Sequence, residues 1–494
     1  MQVVALPAAV LIGAALLAPA SHAPPGASPM IGINVGNSAS WSFERSAANL
    51  VLPNRWFQAS KSPWVELTED RVASDGSIKD FLAGETLVLP VAMPASGPEV
   101  RIRCTWEGRG TMVPRQAPGA VVRSNFAEFN VKPQQPLGDG VWLELSAQDN
   151  ADPVRAVDCR EKSMPADKLF ADEFIESLRP FKVVRFLDWQ NSNANLPVIW
   201  ATRTLPTSFQ RRVGDGVAIE HMIALAKDAG VDPWFIMPWN TDDDYLRRFA
   251  QLVHDTLPRD RKVYLETGNE VWNYGFKVTH QAIAEGEARG LNKGGWGAGL
   301  ERYAQRSIET FKIWERVFAD RPGQLVRVVS AQHGNPLSAE IIMAVPGIAD
   351  HADALATAPY FGPDLFEVAP QGASEDQLLD VLESLASKEV AFTDKNTAIA
   401  RQYGKRHITY EAGQHVVLAS DVPLLAKLQR NPRMEAIYRS YIAGWRKHNP
   451  DLMVLYNSTN PVAWSGAWGL REYAGHPLSE TPKRRAVLEA AQQR

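Results

Sequence analysis

Cysteine is scarce in this chain, and the sequence patterns that most often bind zinc are missing. Only Cys104 and Cys159 occur among 494 residues, with no Cys-x-x-Cys and no His-Glu-x-x-His pattern. Structural zinc sites and zinc proteases use such patterns, so we predict no metal site and no cofactor. In an exported protein two cysteines can form a disulfide. We predict that Cys104 and Cys159 pair, because both fall in the small domain described below.

An excess of positive charge is also missing. The formal net charge is −4, and charged residues make up 22% of the chain. Proteins that bind nucleic acid or anionic membranes electrostatically usually carry basic surfaces, so we predict no nucleic acid partner. The hydrophobic fraction of 45% is ordinary for a soluble globular protein. A length of 494 residues exceeds what one core usually holds, which predicts a large domain and a smaller one.

Long apolar runs are confined to the N-terminus. Residues 2–20 are almost continuously apolar, and small residues suited to cleavage lie at the end, namely Ala18, Ala20 and Ala23. We predict a secretory signal over residues 1–23, and hence a secreted or periplasmic protein, although the usual basic residues before such a run are missing. A membrane anchor is the alternative, but the run is interrupted by Pro7, Gly13 and Pro19. No other run is long enough to span a bilayer.

Short alternating segments fill residues 41–162. The clearest has apolar side chains at every second position, namely Val100, Ile102, Cys104 and Trp106. Two further candidate strands cover residues 84–90 and 141–145, and turns separate the segments. A period of two buries one face of a sheet, and no long helical period is visible here. We therefore predict an inserted β-sandwich domain over residues 41–162.

Strands alternate with helices in the rest of the chain. Eight apolar segments cover residues 30–35, 182–187, 233–237, 263–265, 325–330, 354–358, 407–410 and 452–456. Helices are predicted over residues 220–229, 242–255 and 375–403, with another helical region broken at 290–299. Eight strand–helix units suit a closed parallel barrel. The predicted fold is α/β: a (β/α)8 TIM barrel of residues 30–40 and 163–494, with the β-sandwich inserted after its first strand.

An Asn-Glu pair follows the fourth predicted barrel strand. Asn269 and Glu270 come directly after this strand and Gly268. Because the chemistry of such barrels lies at the C-terminal ends of the strands, Glu270 is a candidate catalytic acid. A solvated loop carboxylate or a member of an ion pair is the alternative interpretation of so short a motif.

A second glutamate ends the seventh predicted strand. Glu411 follows Tyr410 at a position that matches Glu270 on the fourth strand. Retaining glycosidases use two carboxyl groups about 5–5.5 Å apart, one as acid and one as nucleophile, and strands four and seven face each other across a barrel. The pair therefore indicates catalysis. A buried ion pair of Glu411 with Arg185 is the alternative.

Other strand ends supply candidate partners for the two glutamates. Arg185, on the second strand, is predicted to hold Glu411 ionised and to keep its pKa low, unless it forms only a structural salt bridge. Asn269 is a candidate donor to a sugar 2-hydroxyl, and Tyr360 is a candidate donor to the nucleophile.

Aromatic and polar residues extend the candidate site. Trp464 and Trp468, after the eighth strand, are candidate stacking platforms for a sugar ring, although a tryptophan is often part of a core. The remaining candidates at strand ends are Trp239, Asn240, His333 and His415.

These residues resemble the pattern of the clan-A glycoside hydrolases, which are retaining enzymes on a TIM barrel. The resemblance implies Glu270 as acid/base and Glu411 as nucleophile, and it assigns Arg185, Tyr360 and Trp468 to their surroundings. The phrases VRFLDWQNSN and VYLETGNEVWN also resemble bacterial secreted proteins labelled cellulose-binding or hypothetical. This likeness covers roughly residues 182–360. Several clan families have a histidine at the end of strand three, where this chain has residues 237–240, Met-Pro-Trp-Asn.

The leading hypothesis is an exported retaining β-glycosidase that acts on a polysaccharide or oligosaccharide, with a raised pKa for Glu270. A carbohydrate-binding protein without turnover is the alternative, but binding alone does not need both glutamates. A Schiff-base aldolase would need a lysine at a strand end, and none is seen there. The glycine-rich residues 294–299 follow no strand, which disfavours a nucleotide site. The inserted domain could extend the cleft, bind glycan or stiffen the rim.

Overall fold

The computed structural model of the protein describes most of the chain. It covers residues 30–38, 42–59, 63–73, 75–92, 99–132, 140–207 and 216–492. The predicted signal at residues 1–23 lies outside these ranges, as do residues 39–41 at the predicted boundary of the small domain. None of the helices in the described ranges has the length and apolar character needed to cross a membrane.

Eight parallel strands form the central sheet. In chain order they are Ile31–Asn34, Val183–Arg185, Asp232–Met237, Val263–Thr267, Leu325–Ser330, Ala354–Thr357, Arg406–Thr409 and Met453–Leu455. They pair in the order seven, six, five, four, three, two, one, eight. Each of the eight predicted segments overlaps one of these strands, with ends that differ by one or two residues in most cases, and the second strand is shorter because its chain turns after Arg185.

The sheet closes on itself between strands seven and eight. The Thr409 backbone N–H donates to the Leu452 carbonyl at 3.1 Å. The Val454 N–H donates to the Thr409 hydroxyl at 2.7 Å, and that hydroxyl donates to the Val454 carbonyl at 2.9 Å. A side chain thus completes the ladder that backbone bonds form elsewhere. The fold is a (β/α)8 barrel, as predicted.

Alternate residues of the strands fill the barrel interior. Near the N-terminal ends these side chains are apolar and pack together, among them Val183, Tyr264, Val326, Ile408 and Val454. Two residues further along the second and fourth strands, the inward positions are occupied by Arg185 and Glu266, and both residues are fully buried. Because side chains point to one face at every second residue, the same alternation that builds the core places charged groups at its upper end.

Helices surround the barrel and pack on the outward side chains of the strands. Their bounds are Asp172–Leu178, Ile219–Ala229, Asp243–Thr256, Lys277–Ala288, Gly295–Val317, Leu337–Met343, Ile348–His351, Leu365–Val368, Glu375–Gln402, Val422–Arg430, Arg433–His448 and Pro482–Gln492. Asp242 caps one of them by accepting from the Tyr245 N–H at 2.8 Å. Gly230 ends another in the left-handed conformation, at φ 71°.

The predicted break at residues 290–299 is shorter than expected. Helix Lys277–Ala288 ends before Gly290, but the next helix already begins at Gly295 and includes Gly297 and Gly299. A Cβ at Gly299 would lie 2.8 Å from an Ile283 side-chain carbon. Glycine in this helix therefore allows the two helices to approach closely, and it does not break the helix.

Two antiparallel sheets lie between the first and second barrel strands. One contains Arg155–Glu161, Val100–Glu107, Phe126–Val131 and Val121–Arg123. The other contains Val65–Glu66, Phe57–Gln58, Leu87–Val91, Val141–Gln148 and Gly110–Arg115. Their inner faces share a separate hydrophobic core that includes Ile102, Trp106 and Leu143. This is the β-sandwich inserted after the first barrel strand.

A disulfide joins two neighbouring strands of the sandwich. Cys104 and Cys159 stand opposite each other in the antiparallel pair and are bonded through their sulfur atoms. The sandwich is also tied to the barrel by Glu44, which is buried and accepts from the Gly36 N–H at 2.6 Å and the Thr459 hydroxyl at 3.0 Å. The start of the insertion is therefore anchored at the ends of barrel strands one and eight.

Candidate active site

Glu270 follows the fourth strand in a strained turn. Gly268 has φ 62°, and Glu270 itself has φ 43°. A residue with a Cβ adopts this left-handed conformation rarely, at a cost of order 1–3 kcal/mol, and such residues cluster at functional sites. The turn brings the Glu270 side chain over the barrel, where only 8% of the residue is exposed.

Among the described residues, the hydrogen-bond donors to the Glu270 carboxyl group are neutral. The Tyr410 hydroxyl donates to Oε1 at 2.8 Å, and the Asn273 amide donates to Oε2 at 2.8 Å. Tyr410 precedes Glu411 on the seventh strand, so this bond crosses the barrel mouth and joins the two candidate positions. Neutral donors stabilise a carboxylate less than an adjacent cation does.

Glu411 has a cation as its partner instead. Arg185 Nη1 donates to Glu411 Oε1 at 2.8 Å, and the Tyr360 hydroxyl donates to Oε2 at 2.9 Å. Glu411 is 6% exposed, and Arg185 is fully buried. Arg185 and Tyr360 thus contact this glutamate directly, and their predicted roles in catalysis stay predictions.

Arg185 is shared between two glutamates. Its Nε and Nη2 donate to Glu266 Oε2 at 3.0 and 2.9 Å, and Nη2 also donates to Asn269 Oδ1 at 2.8 Å. Asn34 accepts from Nη1 at 3.2 Å. A guanidinium presents its donors in a fixed fork, so these partners determine the position from which Arg185 reaches Glu411.

Both candidate carboxyl groups resist ionisation. Burial raises the pKa of Glu270. Burial also raises the pKa of Glu411 to about 8, because desolvation outweighs the lowering by Arg185 and the charge of Glu270 adds to it. The prediction that Arg185 keeps the pKa of Glu411 low is therefore wrong, although Arg185 acts in the expected direction. The charges of the two groups interact, so the raised pKa belongs to the pair and not to either residue alone.

The contacts of the two carboxyl groups favour a proton on Glu270 over one on Glu411. Arg185 favours the ionised form of Glu411 through a direct ion pair, whereas the hydrogen bonds that Glu270 accepts from the described residues come from the neutral donors Tyr410 and Asn273. A nearby cation stabilises a carboxylate more than a neutral hydrogen bond does. The arrangement therefore favours ionisation of Glu411 over ionisation of Glu270.

Aromatic side chains form a wall beside Glu411. The Tyr360 ring lies 5.7 Å from Trp468 and 5.5 Å from His415, both in edge-on orientation. The Tyr456 ring lies 6.0 Å from Trp468, and the pair His415 and Trp468 is 4.5 Å apart. Trp468 and His415, both predicted site residues, are half-buried here. Burial lowers the pKa of His415, which favours its neutral form.

Asn269 and Trp464 have different surroundings. The Asn269 amide nitrogen donates to Asn193 Oδ1 at 2.8 Å while its oxygen accepts from Arg185, so one of its two N–H donors is already engaged. Trp464 lies in the loop after the eighth strand and is 71% exposed. It takes no part in the hydrogen-bonded network around Glu411, and its predicted stacking role stays a prediction.

Three predicted site residues lie away from the carboxyl pair. Trp239 packs in the core outside the barrel and donates its ring N–H to Glu285 at 3.0 Å. Asn240 exchanges hydrogen bonds with Gln281 at 3.0 and 2.6 Å. Both residues bind the helix Lys277–Ala288 rather than the barrel mouth.

His333 also faces the helices. Its Nδ1 lies 2.9 Å from the Thr357 hydroxyl, which lies 2.8 Å from His407 Nε2. Its other nitrogen is 3.4 Å from the carbonyl of Glu389 on the helix Glu375–Gln402. Burial lowers the pKa of His333 to about 4, so the ring is neutral and structural in this position.

The sequence interpretation missed several residues of this network. Tyr410 and Glu266 each lie two residues after an inward-facing side chain, Ile408 and Tyr264 respectively. Because side chains on one face of a strand recur at every second residue, this spacing would have located both of them. Asn273 lies three residues beyond Glu270, and no sequence signal distinguishes it from other loop amides. Within the described ranges, no group of three or more His, Cys, Asp or Glu side chains is placed to hold a metal ion.

Comparisons with known proteins reach only distant structures. No family model and no curated protein matches the chain. Among solved structures, an α-L-arabinofuranosidase from Thermotoga maritima is 14% identical with TM-score 0.35, over 66% of this chain and 65% of its own length, just under two thirds. A broad-specificity endoglucanase from Clostridium acetobutylicum is 10% identical with TM-score 0.40, over 67% and 92%. A β-glucosidase from Thermotoga maritima is 11% identical with TM-score 0.35, over 64% and 84%.

Proposed function

We propose that this chain is a retaining glycoside hydrolase that cleaves β-glycosidic bonds of a polysaccharide or oligosaccharide. The observation that carries the proposal is the contrast between two buried carboxyl groups at the ends of strands four and seven. Glu411 pairs with Arg185, whereas the donors to Glu270 in the described part of the chain are neutral. An ionised and a protonated carboxyl group, side by side, are what such a reaction requires.

In the first step Glu411 is the nucleophile and Glu270 the acid. A Glu411 oxygen bonds to the anomeric carbon, the bond from that carbon to the leaving oxygen breaks, and the Glu270 proton passes to the leaving oxygen. Arg185 and Tyr360 hold Glu411 in one orientation. Fixing a nucleophile in this way lowers the entropic part of the barrier.

In the second step the proton moves in the opposite direction, back to Glu270. Glu270, now ionised, takes a proton from water while the water oxygen bonds to the anomeric carbon and the ester to Glu411 breaks. The Tyr410 hydroxyl supports Glu270 in the ionised state. The free enzyme returns to its starting protonation, and the anomeric configuration is retained because the carbon is inverted twice.

We also propose that the protein acts outside the cytoplasm. The apolar residues 2–20 resemble a secretory signal, and a disulfide between Cys104 and Cys159 suits an oxidising compartment. A polymeric or oligomeric glycan is then the substrate that the protein would meet.

A binding protein without turnover is the second candidate. The exposed Trp464 would suit a glycan-binding surface. A binding site, however, has no need of a strained glutamate or of two buried carboxyl groups.

The test is reducing-sugar release from β-glucans, mannans, xylans and bacterial exopolysaccharides, measured for wild type and Glu411→Ala. Release by wild type alone, with retention of anomeric configuration seen by NMR, is the expected result. Glycan binding that is equal in both proteins, without release from any glycan, would instead favour the binding protein.

A further inference from the structure

A third acidic residue stands at the end of the second barrel strand. Asp188 lies three residues beyond Arg185, in the turn that follows the strand, and is half-buried. Its Oδ2 accepts a hydrogen bond from the Tyr456 hydroxyl at 3.3 Å. Tyr456 directly follows the eighth strand, Met453–Leu455, so this contact links two loops at the barrel mouth.

Asp188 is linked to Glu411 through a series of aromatic side chains. The Tyr456 ring packs edge-on against Trp468 at 6.0 Å, and Trp468 packs against Tyr360, the hydroxyl donor to Glu411. Burial raises the pKa of the Tyr456 phenol, and the charges of Asp188 and Glu411 add to the effect. Tyr456 is therefore close enough to both acidic groups to interact with each.

One oxygen of Asp188 is free to bind a ligand. Oδ1 accepts no hydrogen bond from any residue in the described ranges, and unlike the enclosed Glu266 Oε1 it is not sealed from solvent. A carboxylate oxygen left open in a half-buried position is an acceptor for a hydroxyl group. The bond from Tyr456 occupies Oδ2 and leaves Oδ1 free.

Negative charge exceeds positive charge in this part of the molecule. Burial raises the pKa of Asp188 to about 6, with Glu44 adding to the effect and Arg185 opposing it. Above that pH Asp188 is ionised, and the acidic side chains of Glu266 and Glu411 lie nearby as the ion-pair partners of Arg185. Arg185 forms ion pairs only with Glu266 and Glu411 among the described residues. An anionic sugar would therefore meet repulsion that this cation does not relieve.

We propose that Asp188 is a specificity residue that accepts hydrogen bonds from hydroxyl groups of the sugar bound beside Glu411, so that the site takes a neutral sugar and rejects a uronic acid. The inference rests on the proposed function and names the substrate class of the same site. A neutral sugar offers hydroxyl donors to Oδ1, and aromatic faces such as Trp468 suit its C–H groups. A uronate carboxylate would bring a like charge instead.

The first test is a ratio of two activities. The value of kcat/KM is measured for 4-nitrophenyl β-glucoside, galactoside, mannoside and xyloside, and for 4-nitrophenyl β-glucuronide. We expect wild type to prefer a neutral glycoside over the glucuronide. Asp188→Asn should lower this preference by about tenfold, because it loses a charged acceptor and a repulsive charge together.

Tyr456→Phe is the matched control for that ratio. It removes the hydroxyl that binds Asp188 but keeps the charge, so its preference for neutral glycosides should stay within about threefold of wild type even if its rate falls. A general disturbance of the site would move both variants alike. An unchanged ratio in Asp188→Asn would overturn the inference and leave the proposed function standing.

A binding measurement separates the two proposals. Binding is measured by titration calorimetry for the single variant Glu411→Gln and for the double variant that also carries Asp188→Asn. The ligands are cellotetraose, mannotetraose, xylotetraose and tetragalacturonic acid. The inference is supported if Glu411→Gln binds a neutral oligosaccharide more tightly than the acidic one and if Asp188→Asn weakens this preference. This result would hold even if wild type releases no sugar. Tighter binding of tetragalacturonic acid to Glu411→Gln would overturn it.

Discussion

At the scale of single residues, the account depends on the environment of each carboxyl group. Glu270 combines burial, a φ of 43° and neutral hydrogen-bond donors. A strained glutamate that is also hard to ionise is unfavourable for stability, and such features persist where function requires them. Its environment suits an acid that must hold a proton at neutral pH.

The effect of removing the catalytic acid should depend on the leaving group of the substrate. Glu270→Ala is expected to lower kcat/KM on natural glycosides by about 10²–10⁴-fold, because general acid catalysis contributes about that much. Substrates with a 2,4-dinitrophenyl leaving group need no proton and should lose far less. Glu383→Ala, at an exposed helix position, is the control and should change neither rate. Equal losses on both substrate types would contradict the assignment of Glu270.

The raised pKa of Glu270 also predicts a pH-dependent stability. A carboxyl group whose pKa is raised by folding stabilises the protein while protonated, and this contribution is lost as pH rises above the ordinary carboxyl range. Glu270→Gln cannot ionise. The melting temperature of Glu270→Gln minus that of wild type should therefore be higher at pH 8 than at pH 5, by roughly 1–3 °C. Calorimetry at both pH values checks this, and an identical difference at the two would refute it.

At the scale of elements, alternation in the sequence was enough to locate all eight barrel strands. It also placed Glu270, Glu411 and Arg185 at strand ends, where the structure joins them in one network. It failed for Trp239 and His333, because a residue in a loop after a strand has no fixed inward or outward direction. Contacts such as that of Tyr410 with Glu270 join positions 140 residues apart and need the closed barrel.

The loop after strand four can be tested through its glycine. Gly268 has φ 62°, and a Cβ there would lie 3.0 Å from a Val271 side-chain carbon. Gly268→Ala should therefore lower stability by about 1–2 kcal/mol and, by shifting Glu270, lower kcat by at least about tenfold. Gly404 has φ 67° with no atom within 4 Å of the added Cβ, and it precedes strand seven at the opposite end of the barrel.

Gly404→Ala is thus a control with the same backbone strain and no contact with the site. Its unfolding free energy should fall by a similar amount while kcat stays at the wild-type value. If kcat fell equally in both variants, the link between Gly268 and the position of Glu270 would be wrong.

At the scale of the whole molecule, the chain contains a barrel and an inserted sandwich with separate cores. The change from alternating strands to strand–helix units was visible in the sequence, because the two patterns have different periods. The contact of Glu44 with Thr459 was not, since it joins residues 415 positions apart. Whether the sandwich also binds glycan is a separate matter from the chemistry at Glu411.

The disulfide should stabilise the sandwich selectively. Cys104 and Cys159 close a loop of 55 residues, which corresponds to about 4 kcal/mol in the chain-entropy account. Replacing both by alanine should lower a sandwich unfolding transition in calorimetry and leave kcat on a small glycoside unchanged, because the barrel has its own core. A loss of activity at temperatures where the barrel remains folded would show that the site depends on the sandwich.

The most direct test of the central claim is covalent trapping. A 2,4-dinitrophenyl 2-deoxy-2-fluoro-β-glycoside of the sugar found by the substrate panel would be incubated with the protein, followed by intact-mass measurement and peptide mapping. We predict one fluoroglycosyl group per chain, attached to Glu411 and absent from Glu411→Ala. Attachment to another residue, or inversion of configuration during turnover without any adduct, would contradict the two-glutamate mechanism.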